Sequence, residues 1–325
     1  LSTLLLDKHD FSYGSSSRTS KMLTGGFNDM NGNNLIHTIH KVKERNNLMY
    51  KSSSPYFGII NPIYEYRGSG IFKEEMKAAL YDVFSLFGKT KKHSSYSRNE
   101  TLDALPDLIS NDVIASVEYY EGLLDDSRYV IELLLKAEEY GCDLLNYAEV
   151  KAFEYNQKEI ENVVFTDNIT GKVYTVNAKT ILIAAGAWGH SISSLLPNGN
   201  FENRIDYIKG SHLVIDSDLI HINKSVVLPK IKSRANVFLM RWKNSTIIGP
   251  TIKKNNNLDC IYTASDEAEY LLDVYNTYFS SIVNKNHIIT TQSGMMPLNP
   301  YQFKIHSHPQ YKLFLVEGGN FTTSS

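Results

Sequence analysis

Apolar residues recur at helical spacing in two stretches of the chain. From Ile71 to Phe87 they return every three or four positions, which predicts an amphipathic helix. A second helix is predicted from about Ser127 to Tyr140, because the capping side chains of Asp125 and Asp126 precede it and Gly141 follows it.

Shorter apolar or alternating runs predict strands, and residues rich in proline and glycine predict turns. Residues 51–70, with Pro55, Pro62, Gly68 and Gly70, are expected to form turns. The expected strands are a buried strand at residues 1–7, an alternating strand from Leu144 to Tyr155, a hairpin pairing 163–165 with 173–176, and a buried strand at 180–185.

The order helix, strand, hairpin, strand in the middle of the chain is typical of an α/β dinucleotide domain whose later strands return to a parallel sheet. Residues 204–300 carry more strand signal and are expected to form a second lobe. The 325 residues supply enough apolar material, 42%, for two domains or one two-lobed unit.

Composition narrows the possible partners. The net charge is −2 and no basic block occurs, which argues against binding of nucleic acid. The two cysteines are far apart, and His37 and His40 have no suitably spaced third ligand, so neither a disulfide nor a metal site is predicted. No apolar run approaches 18 residues, so no transmembrane helix is predicted.

Six motifs follow one another along the chain. The first is a hydroxyl-rich stretch from Ser15 to Gly26, which comes directly after the strand-like Leu4–Asp7. The others are Tyr119–Gly122 with Asp125–Arg128, Ile183–Trp188, Lys209–Val214, Ser293–Leu298 and Glu317–Thr323. Together they resemble the FAD-dependent glycerol-3-phosphate dehydrogenases, which are oxidoreductases of the DAO type.

This resemblance implies an α/β fold, with an incomplete FAD-binding Rossmann-like domain of the glutathione-reductase type and a β-rich substrate-binding lobe. The implied segments are 1–45 (partial FAD domain), 46–118 (helical or cap insertion of the substrate lobe), 119–200 (FAD domain continued), 201–300 (β-rich substrate lobe) and 301–325 (return to the FAD domain). The chain begins with Leu and lacks a Gly-x-Gly-x-x-Gly turn, so it is expected to be truncated at both ends and to hold FAD weakly.

The resemblance also implies a set of cofactor contacts. Asp7 would accept hydrogen bonds from a ribose, and Val150 would lie beside the adenine. The full set is Asp7, Ser15, Ser16, Thr19, Ser20, Lys21, Gly25, Gly26, Val150, Ala184, Gly186, Trp188, Gly318, Gly319 and Thr322. Simpler interpretations stay open: Asp7 as a turn residue, the serines as a flexible loop, and Val150 and Trp188 as core residues.

The implied reaction oxidises glycerol 3-phosphate to dihydroxyacetone phosphate and passes electrons to quinone or oxygen. His212 is the candidate base for the substrate hydroxyl, and the alternative is a structural, hydrogen-bonded histidine. The resemblance places the protein in the cytoplasm or peripherally on the inner membrane. The helix Ile71–Phe87 is expected to be a lid or core helix, with a membrane-facing helix as the alternative.

The chain departs from the family pattern where the phosphate would be held. Thr24, Asn28, Met296 and Asn320 stand where the family has cationic or imidazole side chains. Arg241 and Lys253 are interpreted as surface charges rather than replacements. Poor turnover of glycerol 3-phosphate is therefore expected, with a less anionic hydroxy or amino substrate, or a non-catalytic descendant of the fold, as alternatives.

Overall fold

A computed structural model describes residues 2–30, 35–52, 55–67, 70–85, 90–109, 111–156, 159–196, 206–229, 236–255, 257–258, 261–297, 304–307 and 313–317. Its helices are α1 (Leu35–Ser52), α2 (Ile71–Ser85), α3 (Arg98–Ala104), α4 (Asp126–Glu139), α5 (Gly189–Ser193) and α6 (Ser265–Tyr278).

Strands make up most of the remaining regular structure. They are β1 (Thr3–Leu6), β2 (Met22–Leu23), β3 (Tyr56–Tyr64), β4 (Ser94–Ser97), β5 (Val113–Leu123), β6 (Cys142–Leu145), β7 (Ala148–Asn156), β8 (Glu159–Asp167), β9 (Val173–Asn177), β10 (Ile181–Ile183), β11 (Tyr207–Asp216), β12 (Ser225–Leu228), β13 (Val237–Trp242), β14 (Ser245–Gly249), β15 (Lys253–Lys254), β16 (Ile288–Pro297), β17 (Lys304–Ser307) and β18 (Leu313–Glu317).

A ten-stranded sheet dominates the described part of the chain. It runs β11-β14-β13-β12-β3-β5-β2, with β4 also paired to β5. Strand β16 pairs along most of β11, while β14 and β15 pair with separate parts of it. This arrangement places β11 between β16 and β14, so a side chain on β11 has sheet neighbours on both sides.

Parallel pairing occurs in two smaller sheets. Strand β1 pairs in parallel with β6, and β10 pairs in parallel with β18. The strands β7, β8 and β9 form an antiparallel sheet of their own, which contains the expected hairpin. The expected α/β class and the helices α2 and α4 are confirmed, and Asp125 accepts the Arg128 N–H as the cap of α4.

Two apolar clusters cover the large sheet. In the first, Leu271 and Tyr275 of α6 pack with Leu213 and Ile248 of the sheet. In the second, Tyr81 of α2 packs with apolar residues of β3 and β5. Each helix therefore buries one apolar face against the sheet, as amphipathic helices do.

The expectation that residues 51–70 form turns is wrong, because β3 occupies the nine residues from Tyr56 to Tyr64. A Cβ at Gly58 would lie 1.8 Å from Glu118 Oε1, so this glycine makes room for a buried carboxylate of β5. Pro62 is tolerated because the parallel pairing of β3 with β12 involves only Ile59 and Ile60.

Other expectations need smaller corrections. The strand predicted from Leu144 to Tyr155 is two strands, broken at Tyr147, whose φ is 54°. Strand β1 is half-buried rather than buried. Residues 46–118 contribute β3, β4 and the first half of β5 to the large sheet, and β5 continues across the proposed boundary at residue 118.

None of the described helices is long and apolar enough to cross a membrane. Helix α2 nevertheless has two different faces. Ala78 and Tyr81 are buried against the sheet, whereas Phe72, Met76 and Val83 are exposed.

Candidate functional site

The hydroxyl-rich loop lies on the strands β11 and β16. Ser15 Oγ donates to the Met295 carbonyl at 2.5 Å and accepts the Met295 N–H at 3.0 Å. A Cβ at Gly294 would lie 3.5 Å from Ser15 Cβ and 3.6 Å from Arg18 Cβ, which is ordinary van der Waals distance, so the loop packs directly on this part of β16. The Ser15 hydroxyl thus anchors the loop to the sheet.

A buried ion pair fixes the end of this loop. Lys21 Nζ lies 2.6 Å from Asp126 Oδ1, and the two side chains are only 9% and 6% exposed. Thr19 donates both its N–H, at 3.2 Å, and its hydroxyl, at 2.8 Å, to Asp126 Oδ2. Asp126 opens helix α4, so this helix holds the loop through a single carboxylate.

Ser20, between these two anchors, is presented to His212 on β11. Ser20 Oγ and His212 Nε2 are 2.9 Å apart. The imidazole is buried, and its Nδ1 has no hydrogen-bond partner among the described residues. A Cβ at Gly249 would lie 2.4 Å from His212 Cδ2, so the missing side chain on β14 is what accommodates the ring.

The surroundings keep His212 neutral. Burial is the main cause that lowers its pKa to about 4, and the Lys21 ammonium acts in the same direction, while Asp126 acts in the opposite one. At neutral pH the imidazole is therefore uncharged and retains a lone pair that can accept a proton.

The Gly25-Gly26 turn rests on a second buried ion pair. Gly25 N–H donates to Glu121 Oε2 at 2.7 Å, and Arg45 Nη1 lies 2.9 Å from the same oxygen. The side chains of Arg45 and Glu121 are 0% and 1% exposed. Gly26 has a φ of 87°, a conformation that glycine adopts at little cost.

A third buried pair lies under β11, on the face opposite to His212. Lys209 Nζ is 2.6 Å from Glu267 Oε2, and Ser211 Oγ donates to Glu267 Oε1 at 3.0 Å. Because side chains alternate along a strand, Lys209 and Ser211 point to one face and His212 to the other. In the motif Lys209–His212, the side chains of Lys209 and Ser211 thus bind Glu267 on one face of the sheet, while the imidazole of His212 faces the Ser15–Lys21 loop on the other.

The remaining described candidates lie toward the parallel strands. Asp7 directly follows β1, and its Oδ1 accepts the His9 N–H at 3.0 Å. The Asp7 carbonyl accepts the Ala148 N–H at 2.7 Å, which brings Asp7 near the start of the strand that carries Val150. Leu6, Val150 and Ala185 pack against one apolar cluster.

The turn after β10 connects this region to the loop. Ala184 and Gly186 are exposed, and no described residue lies within 4 Å of where a Gly186 Cβ would be. Trp188 packs with Met295 and Tyr207, and its ring is 3.4 Å from the place of a Gly14 Cβ. A series of contacts therefore connects Asp7 with the Ser15 loop, through the apolar cluster that includes Ala185 and then through Trp188. Ser16 is exposed within this loop, whereas Gly318, Gly319 and Thr322 lie outside the described residues.

Sequence reasoning missed the acidic partners of the site. Glu121 and Asp126 were noted only as members of one family motif, with Asp126 also as a capping residue, and Glu267 was given no role. Spacing alone could not identify them, since Asp126 lies 105 positions from Lys21.

Arg241 and Lys253 are exposed, as expected for surface charges. Thr24 and Asn28 donate to Glu121 Oε1 and to the Tyr119 hydroxyl, respectively.

The profile of one family, the FAD dependent oxidoreductases (DAO), matches residues 1–324. The chain belongs to this family. A probable mitochondrial glycerol-3-phosphate dehydrogenase from Dictyostelium discoideum is 28% identical to it in an alignment of 315 residues that covers 90% of this chain and 48% of the relative. An aerobic glycerol-3-phosphate dehydrogenase from Staphylococcus aureus is 26% identical in an alignment of 305 residues that covers 90% of this chain and 54% of the relative.

Solved structures show the same fold. The glycerol-3-phosphate dehydrogenase from Bacillus halodurans, complexed with FAD, superposes with a TM-score of 0.79 at 21% identity, covering 98% of this chain and 56% of that one. The L-alpha-glycerophosphate oxidase from Mycoplasma pneumoniae, with FAD bound, has a TM-score of 0.71 at 16% identity, covering 97% of this chain and 82% of that one. The expected family relationship is confirmed, and the chain spans about half the length of the curated relatives that it matches.

Proposed function

We propose that this chain forms the flavin-facing and substrate-facing part of an FAD-dependent oxidoreductase that oxidises a small hydroxy compound related to glycerol 3-phosphate. The observation that carries the proposal is the Ser20–His212 pair, in which a neutral, buried imidazole faces the hydroxyl-rich loop. The family relationship and the names of the relatives support FAD as the cofactor and glycerol 3-phosphate as the first substrate to test.

The described residues fit a dinucleotide at the edge of the parallel strands. Ligands of such sheets bind beyond the carboxyl ends of the strands, and both Asp7 and Ala184 directly follow a parallel strand. The open space beside Gly186 allows close approach to the backbone. Asp7 and Val150 would hold the nucleoside end of FAD, and the Ser15–Lys21 loop with the 184–188 turn would hold its remainder.

FAD, when bound, supplies the acceptor for the hydride that leaves the substrate carbon. In our proposal His212 takes the proton of the substrate hydroxyl, since general bases must be unprotonated at the working pH. Ser20 orients the imidazole, and Asp126 holds Ser20 in place through Thr19 and Lys21. The imidazole of His212 is itself buried, as are Lys21 and Asp126, and this burial excludes water from around the ring.

The charges of the site favour a substrate less anionic than glycerol 3-phosphate as a second candidate. Lys21, Arg45 and Lys209 each contact a buried carboxylate, which neutralises much of their charge. Arg18 is the described cation of the loop that has no carboxylate contact, and it donates to the Ser293 carbonyl at 3.2 Å. A single half-buried guanidinium binds a phosphate less strongly than several converging cations do.

Anaerobic reduction of the flavin tests both candidates. The purified protein is given excess FAD and then glycerol 3-phosphate, glycerol or an amino acid, and the loss of the flavin absorbance band is followed. Faster reduction by glycerol 3-phosphate supports the first candidate, and equal or faster reduction by glycerol supports the second. Reduction by the amino acid alone, or by none of the three, would refute the oxidation of a hydroxy compound.

The electron acceptor and the location of the protein belong to the proposal as well. We keep quinone or oxygen as acceptor, and the cytoplasm or the periphery of the inner membrane as location. The exposed Phe72 and Met76 on α2 support peripheral contact with a bilayer. Sedimentation with liposomes should then decrease in a Phe72→Ser, Met76→Ser variant, and unchanged sedimentation would argue against this contact.

A further inference from the structure

His212 has a polar neighbour on the adjacent strand that the proposed reaction does not use. In the antiparallel pairing of β11 with β16, His212 stands directly opposite Gln292. Residues that are directly opposite share one face of the sheet, with their Cβ atoms about 5 Å apart. The imidazole and the carboxamide are therefore side by side on the face that the Ser15–Lys21 loop covers.

Both side chains bury a polar atom that has no partner. His212 Nδ1 and Gln292 Oε1 are each inaccessible to solvent and make no hydrogen bond within the described residues. An unsatisfied buried polar atom costs roughly 1–3 kcal/mol, so two of them side by side are unusual in a folded protein. A ligand that donates two hydrogen bonds would satisfy both atoms at once.

The surroundings restrict the chemistry of that ligand. On the other side of His212, Gly249 provides no side chain, and its missing Cβ is what accommodates the imidazole. The imidazole Nε2 is occupied by Ser20 at 2.9 Å. Burial is the main cause that disfavours a positive charge on the imidazole; the Lys21 ammonium acts in the same direction and its partner Asp126 in the opposite one. The same burial disfavours an ammonium group of a ligand.

We propose that His212 Nδ1 and Gln292 Oε1 form a subsite for two neighbouring hydroxyl groups of a polyol. The Nε2–H of His212 donates to Ser20 Oγ, which leaves the Nδ1 lone pair to accept one hydroxyl and Gln292 Oε1 to accept the other. This subsite deepens the proposed function, on which it rests, because it makes the substrate a vicinal diol rather than an amino compound. Gln292 then selects the substrate while His212 receives the proton.

The test measures binding without turnover. Wild-type protein, without added FAD, is titrated with glycerol, ethylene glycol and ethanol, and the imidazole signals are followed by NMR, with the His212→Gln variant to assign them. The diols should shift the His212 signal and bind at least about tenfold more tightly than ethanol, as expected from one additional hydrogen bond. The tautomer with hydrogen on Nε2 should be observed.

Three variants separate the subsite from general effects on folding. Gln292→Leu should weaken diol binding about tenfold, whereas Gln292→Glu keeps an acceptor and should retain the affinity within about threefold. Thr290→Val, on the same face of β16 but exposed, is the matched control and should bind diols as wild type does. Thermal unfolding confirms that each variant is folded.

The outcomes distinguish the subsite from the proposed function. Unchanged diol binding in Gln292→Leu, or diols that leave the His212 signal in place, would overturn the subsite even if hydroxy compounds reduce the flavin. Diol binding that depends on Gln292, without flavin reduction by any hydroxy compound, would support the subsite and refute the proposed oxidation.

Discussion

Removal of the Asp126 carboxylate should destabilise the protein strongly, because it leaves the Lys21 ammonium buried without a counterion. Both side chains are less than one tenth exposed, and the carboxylate also accepts two hydrogen bonds from Thr19. Breaking a buried ion pair by removing one partner costs about 3–5 kcal/mol. We therefore expect Asp126→Ala to lower the free energy of unfolding by about that amount.

Urea unfolding followed by circular dichroism gives this free energy, and a double-mutant cycle isolates the pair. Lys21→Met alone should also be costly, because it leaves Asp126 buried as an anion. The double variant Lys21→Met, Asp126→Asn should lose less than the sum of the two single variants, since no buried charge remains.

The matched control lies on the same helix. Glu132 of α4 forms an ion pair with Arg128 at 2.9 Å, but the Arg128 side chain is 67% exposed and the Glu132 side chain is 46% exposed. Glu132→Gln should change the stability by less than about 1 kcal/mol, because water screens exposed pairs. A loss from Asp126→Ala no larger than that from Glu132→Gln would refute the idea that α4 holds the loop through this carboxylate.

Three further predictions follow from the same contacts. The pKa of His212 is about 4 in the folded protein and 6.5 in the unfolded chain, so the unfolded chain binds more protons between these two pH values. About 3 kcal/mol of stability that is present above pH 6.5 should therefore be lost as the pH falls to about 4. His212→Gln should flatten this pH dependence in urea titrations. Gly25→Ala would place a Cβ 2.1 Å from Tyr81 Oη and should lower the free energy of unfolding by about 1–3 kcal/mol. Gly70→Ala should not, because no residue in the described part of the chain lies within 4 Å of its Cβ position. Met296→Arg should increase the affinity for glycerol 3-phosphate, relative to the affinity for glycerol, by about tenfold or more in binding titrations. An unchanged ratio of these two affinities would show that position 296 does not face the phosphate.

Local patterns in the sequence were sufficient for helices α2 and α4 and for the hairpin. The apolar repeat of α2 and the cap of α4 depend on residues a few positions apart, which sequence periodicity reports directly. Strand β3 was not predicted, because Pro55, Pro62, Gly68 and Gly70 indicated turns. The strand accommodates Gly58 beside Glu118 and Pro62 outside the register with β12, and no local pattern contains these contacts.

The site was predictable only in part, for a similar reason. The motifs around Ser15 and His212 identified the loop and the imidazole, but not their hydrogen bond across 192 positions. The buried carboxylates Asp126, Glu121 and Glu267 each satisfy a distant cation, and such pairs depend on the tertiary fold. Gln292 could not be identified from the sequence as a site residue, because only the strand register places it opposite His212.

The rate of flavin reduction in the His212→Gln variant tests the central claim most directly. Wild type and variant are compared at equal FAD occupancy, with whichever hydroxy compound reduces the wild-type flavin, in a single anaerobic turnover. Loss of a general base lowers such a rate by about 10²–10⁴-fold, and we expect a decrease in this range. A variant that reduces its flavin within about twofold of the wild-type rate would contradict the assignment of proton transfer to His212.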